Sequence, residues 1–299
     1  MITPSYLKKG NKVAIVAPAG KIDKQKVDNA VKGFEKWGLI PVVGENVFKT
    51  SGQYAATDRQ RLADFQKMLD DDSIRAIVCA RGGYGSVRII DRLDFTKFVK
   101  NPKWIVGFSD ITVFHSHIHS NFGIETIHGT MAGGFDTEGK PALSTESLRI
   151  ALFGEKLFYD LKPHPLSKKG KAKGFLTGGN LAILTSLIGS KSDIDTKGKI
   201  LFIEDVGEYL YRLDRMMWTM KRAGKLDNLA GLIVGGMTDM KDSDTPFGKT
   251  AYEIVKEAVK GRRYPVCFGF PAGHQEDNST LIFGREIEMN VDANGVRIW

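Results

Sequence analysis

The sequence predicts an α/β protein: an N-terminal, doubly wound, mostly parallel sheet followed by a C-terminal mixed α/β unit with antiparallel strands. Three observations carry that expectation. Short apolar runs alternate with stretches of helical periodicity. The runs are apolar throughout rather than alternating, as strands covered on both faces must be. The last runs of the chain follow one another too closely for crossover helices to join them.

KVAIVAP (12–18) reads as the first strand, and Val27, Ala30, Val31, Phe34 and Trp37 then recur at helical spacing until Gly38 stops the helix. LIPVV (39–43) is a second strand. A helix opened by Thr57-Asp58 carries Leu62, Phe65, Met68 and Leu69 on one face. IRAIVCA (74–80) is the third strand, and it ends at Arg81-Gly82-Gly83-Tyr84-Gly85 before a helix expected from Ser86. Trp104 to Phe108 is the fourth and GIETIHG (123–129) the fifth. In such a sheet ligands collect at the carboxyl ends of the strands, where both Gly82-Gly83 and Ser109 fall.

A chain of 299 residues with 42% apolar content is long enough for two cores. Segment 155–173 is rich in Lys, Pro and Gly and has no periodic apolar face, so it is expected to link a domain of residues 1–154 to one of residues 174–299. The second domain is expected to hold strand KILFIED (199–205), a helix with Leu213, Met216, Met217 and Met220 on one stripe, strand AGLIVGG (230–236), a helix near 248–259, and short strands in PVCFGFP, TLIFG, EIEMNV and GVRIW.

The formal charge of +8 comes from Lys and Arg scattered among carboxylates, and no nucleic-acid signature accompanies it. It reads as a solvated surface with a mild attraction for anionic small molecules. Two cysteines, Cys79 and Cys267, lie in apolar runs without metal or disulfide spacing, as small core residues in a reducing compartment do. The first apolar run spans only about seven residues, too short for a signal segment, and nothing approaches the roughly 20 of a membrane span. A cytoplasmic protein with no membrane or nucleic-acid partner is expected.

In KWIVGFSDITVFHSHI (103–118) a strand turns into a helix across Ser109-Asp110 alone. A tight turn there lifts a serine Oγ off the sheet, toward helical N–H groups that lack intrahelical partners and can hold an oxyanion. On the joint alone a plain N-cap role for Ser109 or Asp110 is favoured over a nucleophile, and the G-x-S-x-G elbow is absent. A nucleophilic serine needs a base. Of His115, His117 and His119 only the first and last share a helical face, so packing or surface roles are favoured over a metal. His164 lies in the linker. His274, in PAGHQEDNST, sits in a polar loop directly after an apolar strand and is the better placed base. Glu204, Asp205 and Glu208 cluster at the end of another strand. Capping of the following helix suits Asp205 or Glu208, which leaves Glu204 to orient a histidine. The glycine pairs 82–83 and 178–179 mark turns or close backbone approach, and Gly-Gly-Tyr-Gly lacks the Lys-Ser/Thr of a phosphate loop. No cofactor is implied.

Taken together, KVAIVAPAG, ARGGYGSVRIIDRLD (80–94), GFSDITVFH (107–115), IHGTMAG (127–133), GGNLAILTSLIGS (178–190), LFIEDVGEYLYRLDRMMWTMKRAG (201–224) and GFPAGHQEDNSTLIFG (269–284) resemble the LD-carboxypeptidase family of serine peptidases. That family includes murein tetrapeptide carboxypeptidases and microcin-immunity peptidases. The resemblance implies a Ser-Glu-His triad of Ser109, Glu204 and His274, formed between the domains. It also implies an oxyanion hole from the backbone N–H groups of Gly83 and Asp110, and release of D-alanine from murein tetrapeptides by a homodimeric enzyme. A microcin-type peptidase would accommodate a nucleotide, yet no aromatic residue that could stack on one occurs between Gly178 and Leu201. A non-catalytic binding protein, or an anion-binding enzyme using the Gly-Gly-Tyr-Gly turn, are the readings from other classes. Neither explains why Ser, Glu and His should each end an apolar strand.

Overall fold

The computed structural model describes residues 1–135 and 143–299. Its first sheet is built from β1 (Lys12–Val16), β2 (Ile40–Val43), β3 (Ile74–Cys79), β4 (Trp104–Gly107) and β5 (Thr126–His128), with β11 (Leu281–Phe283) added at the edge. The order is β11-β5-β4-β3-β1-β2, all parallel except that β11 runs antiparallel to β5. Because β2 and β3 lie on opposite sides of β1, the strand order switches there, and the loops leaving β1 and β3 meet at the carboxyl edge, where ligands gather in such sheets.

Helix α1 (Lys24–Lys36) buries Val27, Ala30 and Phe34 and ends where Gly38 takes φ +77°. Helix α2 (Asp58–Asp70) starts with a capping box in which Thr57 and Gln60 satisfy each other's backbone, a device worth about 1 kcal/mol. The short α3 (Thr96–Lys100) and then α4 (Thr112–Phe122) follow. One apolar core joins α1 and the later α5 (Leu143–Phe153) to one face of the sheet; a second joins α2 and α4 to the other, with Phe65 stacked on Phe114. Cys79 and Cys267 are fully buried, and burial pushes the Cys267 thiol up to about 12.

The second sheet has the order β10-β9-β8-β7-β12-β13-β6. Its parallel half comprises β7 (Gly170–Asn180), β8 (Ile200–Val206), β9 (Gly231–Thr238) and β10 (Val266–Phe268). Its antiparallel half adds β12 (Glu286–Val291), β13 (Val296–Ile298) and β6 (Tyr159–Leu161). Helices α6 (Leu181–Ser186), α7 (Leu210–Arg222) and α8 (Ala251–Ala258) cover one face, with Leu213, Met217 and Met220 of α7 buried. Among the described residues no helix is long and apolar enough to cross a membrane.

Three local expectations need correction. Segment 155–173 is more than a linker: it supplies β6 and the first residues of β7, because Val296 and Ile298 pair with Leu161 and Tyr159 and extend the antiparallel half. Strand 281–283 does not stay with its sequence neighbours. It completes the first sheet beside β5, while Leu281 and Phe283 bury themselves in the core of the second. Chain from both parts is thereby sewn together. Finally, no α-helix starts at Ser86. Two 3-10 turns (Ser86–Arg88 and Ile90–Arg92) stand there, with the Ser86 N–H drawn to the Asp110 carboxylate.

Candidate functional site

Ser109 leaves the end of β4 with φ +64°, and only it and Asp239 among the described non-glycine residues adopt such a conformation. A left-handed residue between strand and helix is strained by about 1–3 kcal/mol, and strain of this kind is retained where it points a side chain outward. The chain then makes a 3-10 turn over Ser109–Ile111 before α4 begins. Gly82 lies so close that a Cβ on it would stand 3.0 Å from Ser109 Cβ, 3.1 Å from Oγ and 3.4 Å from the Asp110 nitrogen. The glycine pair after β3 therefore overhangs both the hydroxyl and the first free N–H of the new helix.

The second sheet brings the other two groups. His274 Nε2 is 3.0 Å from Ser109 Oγ, and its Nδ1 is 2.8 Å from Glu204 Oε2. The same carboxylate oxygen accepts the His274 backbone N–H at 3.2 Å, so Glu204 holds the residue by ring and backbone together. Glu204 is fully buried at the end of β8, while the His274 side chain keeps 23% exposure. Gly273, at φ +109°, leaves room for this approach, since a Cβ there would come within 2.6 Å of Glu204 Oε2. Thr238 donates to the His274 carbonyl at 2.6 Å, and the Gly273 N–H donates to Asn278 Oδ1 at 2.8 Å. The Phe108 ring meets the imidazole edge to face at 5.0 Å.

Burial pulls the His274 pKa down, but the hydrogen bond and negative charge of Glu204, with Asp205 behind it, more than offset this and leave it raised. With Nδ1 donating to Glu204, Nε2 of the neutral ring is the acceptor for the serine proton. The arrangement can take a proton from Ser109, keep it on a ring whose positive charge is balanced, and return it.

Asp205 does something other than cap the following helix. Its carboxylate accepts the Ala182 N–H and an Asn180 side-chain N–H, both at 3.0 Å, and so caps α6; burial pushes its pKa up to about 6. Helix α7 has no side-chain cap. The histidines of α4 are all buried and engage separate partners: His115 with the Gly107 carbonyl, His117 with Ser192 and His119 with Thr126. Burial lowers the pKa of His115 to about 4 and of His119 to about 3, so both are neutral packing groups.

Sequence reasoning missed the residues that align the two sheets. Thr112 Oγ1 accepts the Asn180 N–H at 3.0 Å, and Gly179 packs directly on that threonine. The glycine pair 178–179, read above as a turn or close backbone approach, was the available signal, but it did not name the threonine it meets. A cleft of about 370 Å³ opens beside the serine, with Phe108, Gln275 and Asn278 on its wall and charges of both signs at its side, Lys26 and Arg81 with Asp23 and Glu276.

Models of the LD-carboxypeptidase N-terminal domain and C-terminal domain match residues 13–129 and 173–289. A "probable murein peptide carboxypeptidase" of Bacillus subtilis is 36% identical over 293 residues, covering 96% of this chain and 91% of the relative. The microcin C7 self-immunity protein of Escherichia coli is 26% identical, over 94% of this chain and 90% of that protein. The crystal structure of a muramoyltetrapeptide carboxypeptidase from Oxalobacter formigenes superimposes with a TM-score of 0.87 at 25% identity, covering 96% of this chain and 98% of the other. With both halves matched in order and most of its length shared with these proteins, the chain belongs to the LD-carboxypeptidase family of peptidases.

Proposed function

We propose that this protein is a serine-type LD-carboxypeptidase that hydrolyses an L,D peptide bond and releases the terminal D-alanine of murein tetrapeptides. The observation that carries the reading is the unbroken relay Ser109 Oγ, His274 Nε2, His274 Nδ1, Glu204 Oε2, with steps of 3.0 and 2.8 Å. Ser109 Oγ attacks the scissile carbonyl carbon as His274 Nε2 takes its proton. The carbonyl oxygen becomes an oxyanion facing the backbone N–H groups of Gly83 and Asp110. Collapse breaks the C–N bond, His274 gives its proton to the departing amine, and an acyl-serine remains. Water then adds to the ester, losing its proton to His274, and Ser109 is regenerated as that proton returns. Glu204 keeps the ring in the working tautomer and balances its charge.

The murein substrate is supported by the names of the relatives. The same reading makes the enzyme cytoplasmic and homodimeric, acting on recycled wall fragments. Its test is a mass-spectrometric assay of the protein and of Ser109→Ala on three compounds: a murein tetrapeptide ending in D-alanine, its all-L counterpart and an aminoacyl nucleotide. Serine-dependent loss of D-alanine from the first alone is expected. Cleavage of the nucleotide instead would move the chain to the microcin-immunity branch, and no cleavage of any compound would favour a binding protein.

A further inference from the structure

The peptide bond between Gly85 and Ser86 is gripped from both sides by buried side chains. Its N–H donates to Asp110 Oδ2 at 2.8 Å, and its carbonyl accepts from Arg61 Nη1 at 3.0 Å. Asp110 is 1% exposed and Arg61 2%. Arg61 is itself fixed at several points: its guanidinium donates to the carbonyls of Pro18 and Ala56, pairs with Asp58, and lies 4.8 Å from the Tyr54 ring centroid. A Cβ on Gly85 would come within 2.6 Å of Arg61 Nη1, so this turn admits the guanidinium only because it has a glycine. The opposite end of the same turn is tied to the β1 loop, where the Gly20 N–H donates to the Gly82 carbonyl at 2.9 Å.

Between those two anchors lie Gly83, at φ +101°, and the half-exposed Tyr84. Four residues with three glycines have little stiffness of their own. A backbone donor serves an oxyanion only if it is held in place before charge develops. The residue whose backbone follows the serine is thus also the one whose carboxylate holds the opposite donor loop.

We infer that Asp110 and Arg61 are positioning residues for the reaction, clamping the Gly85–Ser86 peptide so that the Gly83 N–H stays aimed across Ser109. The inference rests on the serine mechanism proposed above. It extends that mechanism to two side chains that touch neither substrate nor the reacting atoms.

The test compares Asp110→Ala, Asp110→Asn and Arg61→Lys with the parent, for tetrapeptide turnover and for the rate at which a fluorophosphonate labels Ser109. Loss of one oxyanion donor costs about 10²–10³ in rate. Asp110→Ala should therefore lower kcat and the labelling rate by about 10²-fold while KM stays within about 3-fold. Asp110→Asn keeps a carbonyl acceptor for the Ser86 N–H and should fall between Ala and the parent. Arg61→Lys loses the fork and should behave like Asp110→Ala even if that variant fails to fold. As a baseline, Asp64→Ala removes another buried carboxylate of α2, one that holds Asn46 and makes no contact with the Gly82–Ser86 turn among its hydrogen bonds. It should lower Tm without changing kcat of the folded protein. The clamp is overturned if folded Asp110→Ala and Arg61→Lys label Ser109 at the parent rate, or if their losses appear only in KM. A parent that labels at Ser109 without releasing D-alanine would sink the substrate reading alone, and the labelling rates would still decide the clamp.

Discussion

Gly179 packs its backbone onto Thr112, where any side chain would overlap the threonine, and the next residue, Asn180, gives its N–H to Thr112 Oγ1 at 3.0 Å. Thr112 is three residues beyond Ser109, and Asn180 pairs with Glu204 across β7 and β8. This contact sets the register of one half of the site against the other.

Gly179→Ala forces a φ of +139° on a residue with a Cβ and pushes that carbon into Thr112. We expect a loss of at least about 2 kcal/mol in chemical denaturation. The fraction that folds should turn over about 10²-fold more slowly, since small displacements of reacting groups are that costly. Parent-like turnover in Gly179→Ala would mean that the contact does not align the site.

Ser109→Ala should keep the parent Tm and bind substrate while losing turnover, and His274→Ala should lose about as much, because members of such a relay act as a unit. The measurement is D-alanine release by mass spectrometry. Near-normal release by His274→Ala would remove it as the base.

The pH dependence follows from the raised pKa of His274. The base works only when neutral, so kcat/KM should fall as pH drops, with a midpoint above the reference value of about 6.5. Glu204→Gln removes the main cause of the increase. It should move the midpoint down and lower kcat by about 10⁴-fold, as loss of the orienting carboxylate does elsewhere. For stability the sign is the reverse of activity. The protonated ring is favoured in the fold, so the contribution of the His274–Glu204 pair is full below about pH 6.5 and fades as pH rises through the raised value. The Tm gap between the parent and His274→Ala should therefore be wider at pH 5.5 than at pH 8.5.

Asp205 and Glu204 are adjacent carboxylates with different work. Asp205→Ala leaves the Ala182 N–H and the Asn180 amide without their acceptor and should cost about 1–3 kcal/mol. Its kcat, measured on folded protein, should drop far less than that of Glu204→Gln. Equal losses would show that the two carboxylates act together on the histidine.

Much of this was legible in the residues. Apolar runs such as IRAIVC and ILFIEDV are parallel strands because only a strand buried on both faces carries so little polarity. Val27, Ala30 and Phe34 declare a helix by spacing alone. Ser109, Glu204 and His274 stood out because each polar group ends an apolar strand, where an open α/β sheet gathers its ligands. Asp205 was misjudged: a carboxylate cap reads as local, and its partner helix is the preceding one.

What the sequence determined by itself was therefore local: most of the buried strands and long amphipathic helices, and which side chains stand at their ends, but neither the 3-10 turns after Ser86 nor the edge strand β6. The tertiary structure decided that β11 crosses to the first sheet, that Thr112 and Gly179 fix the two halves together, and that Asp110 and Arg61 share one peptide bond. The physical reason is that periodicity and capping depend on neighbours a few residues apart. Ser109 and His274 are 165 residues apart in the chain, and only the packing of two sheets brings them within hydrogen-bond reach.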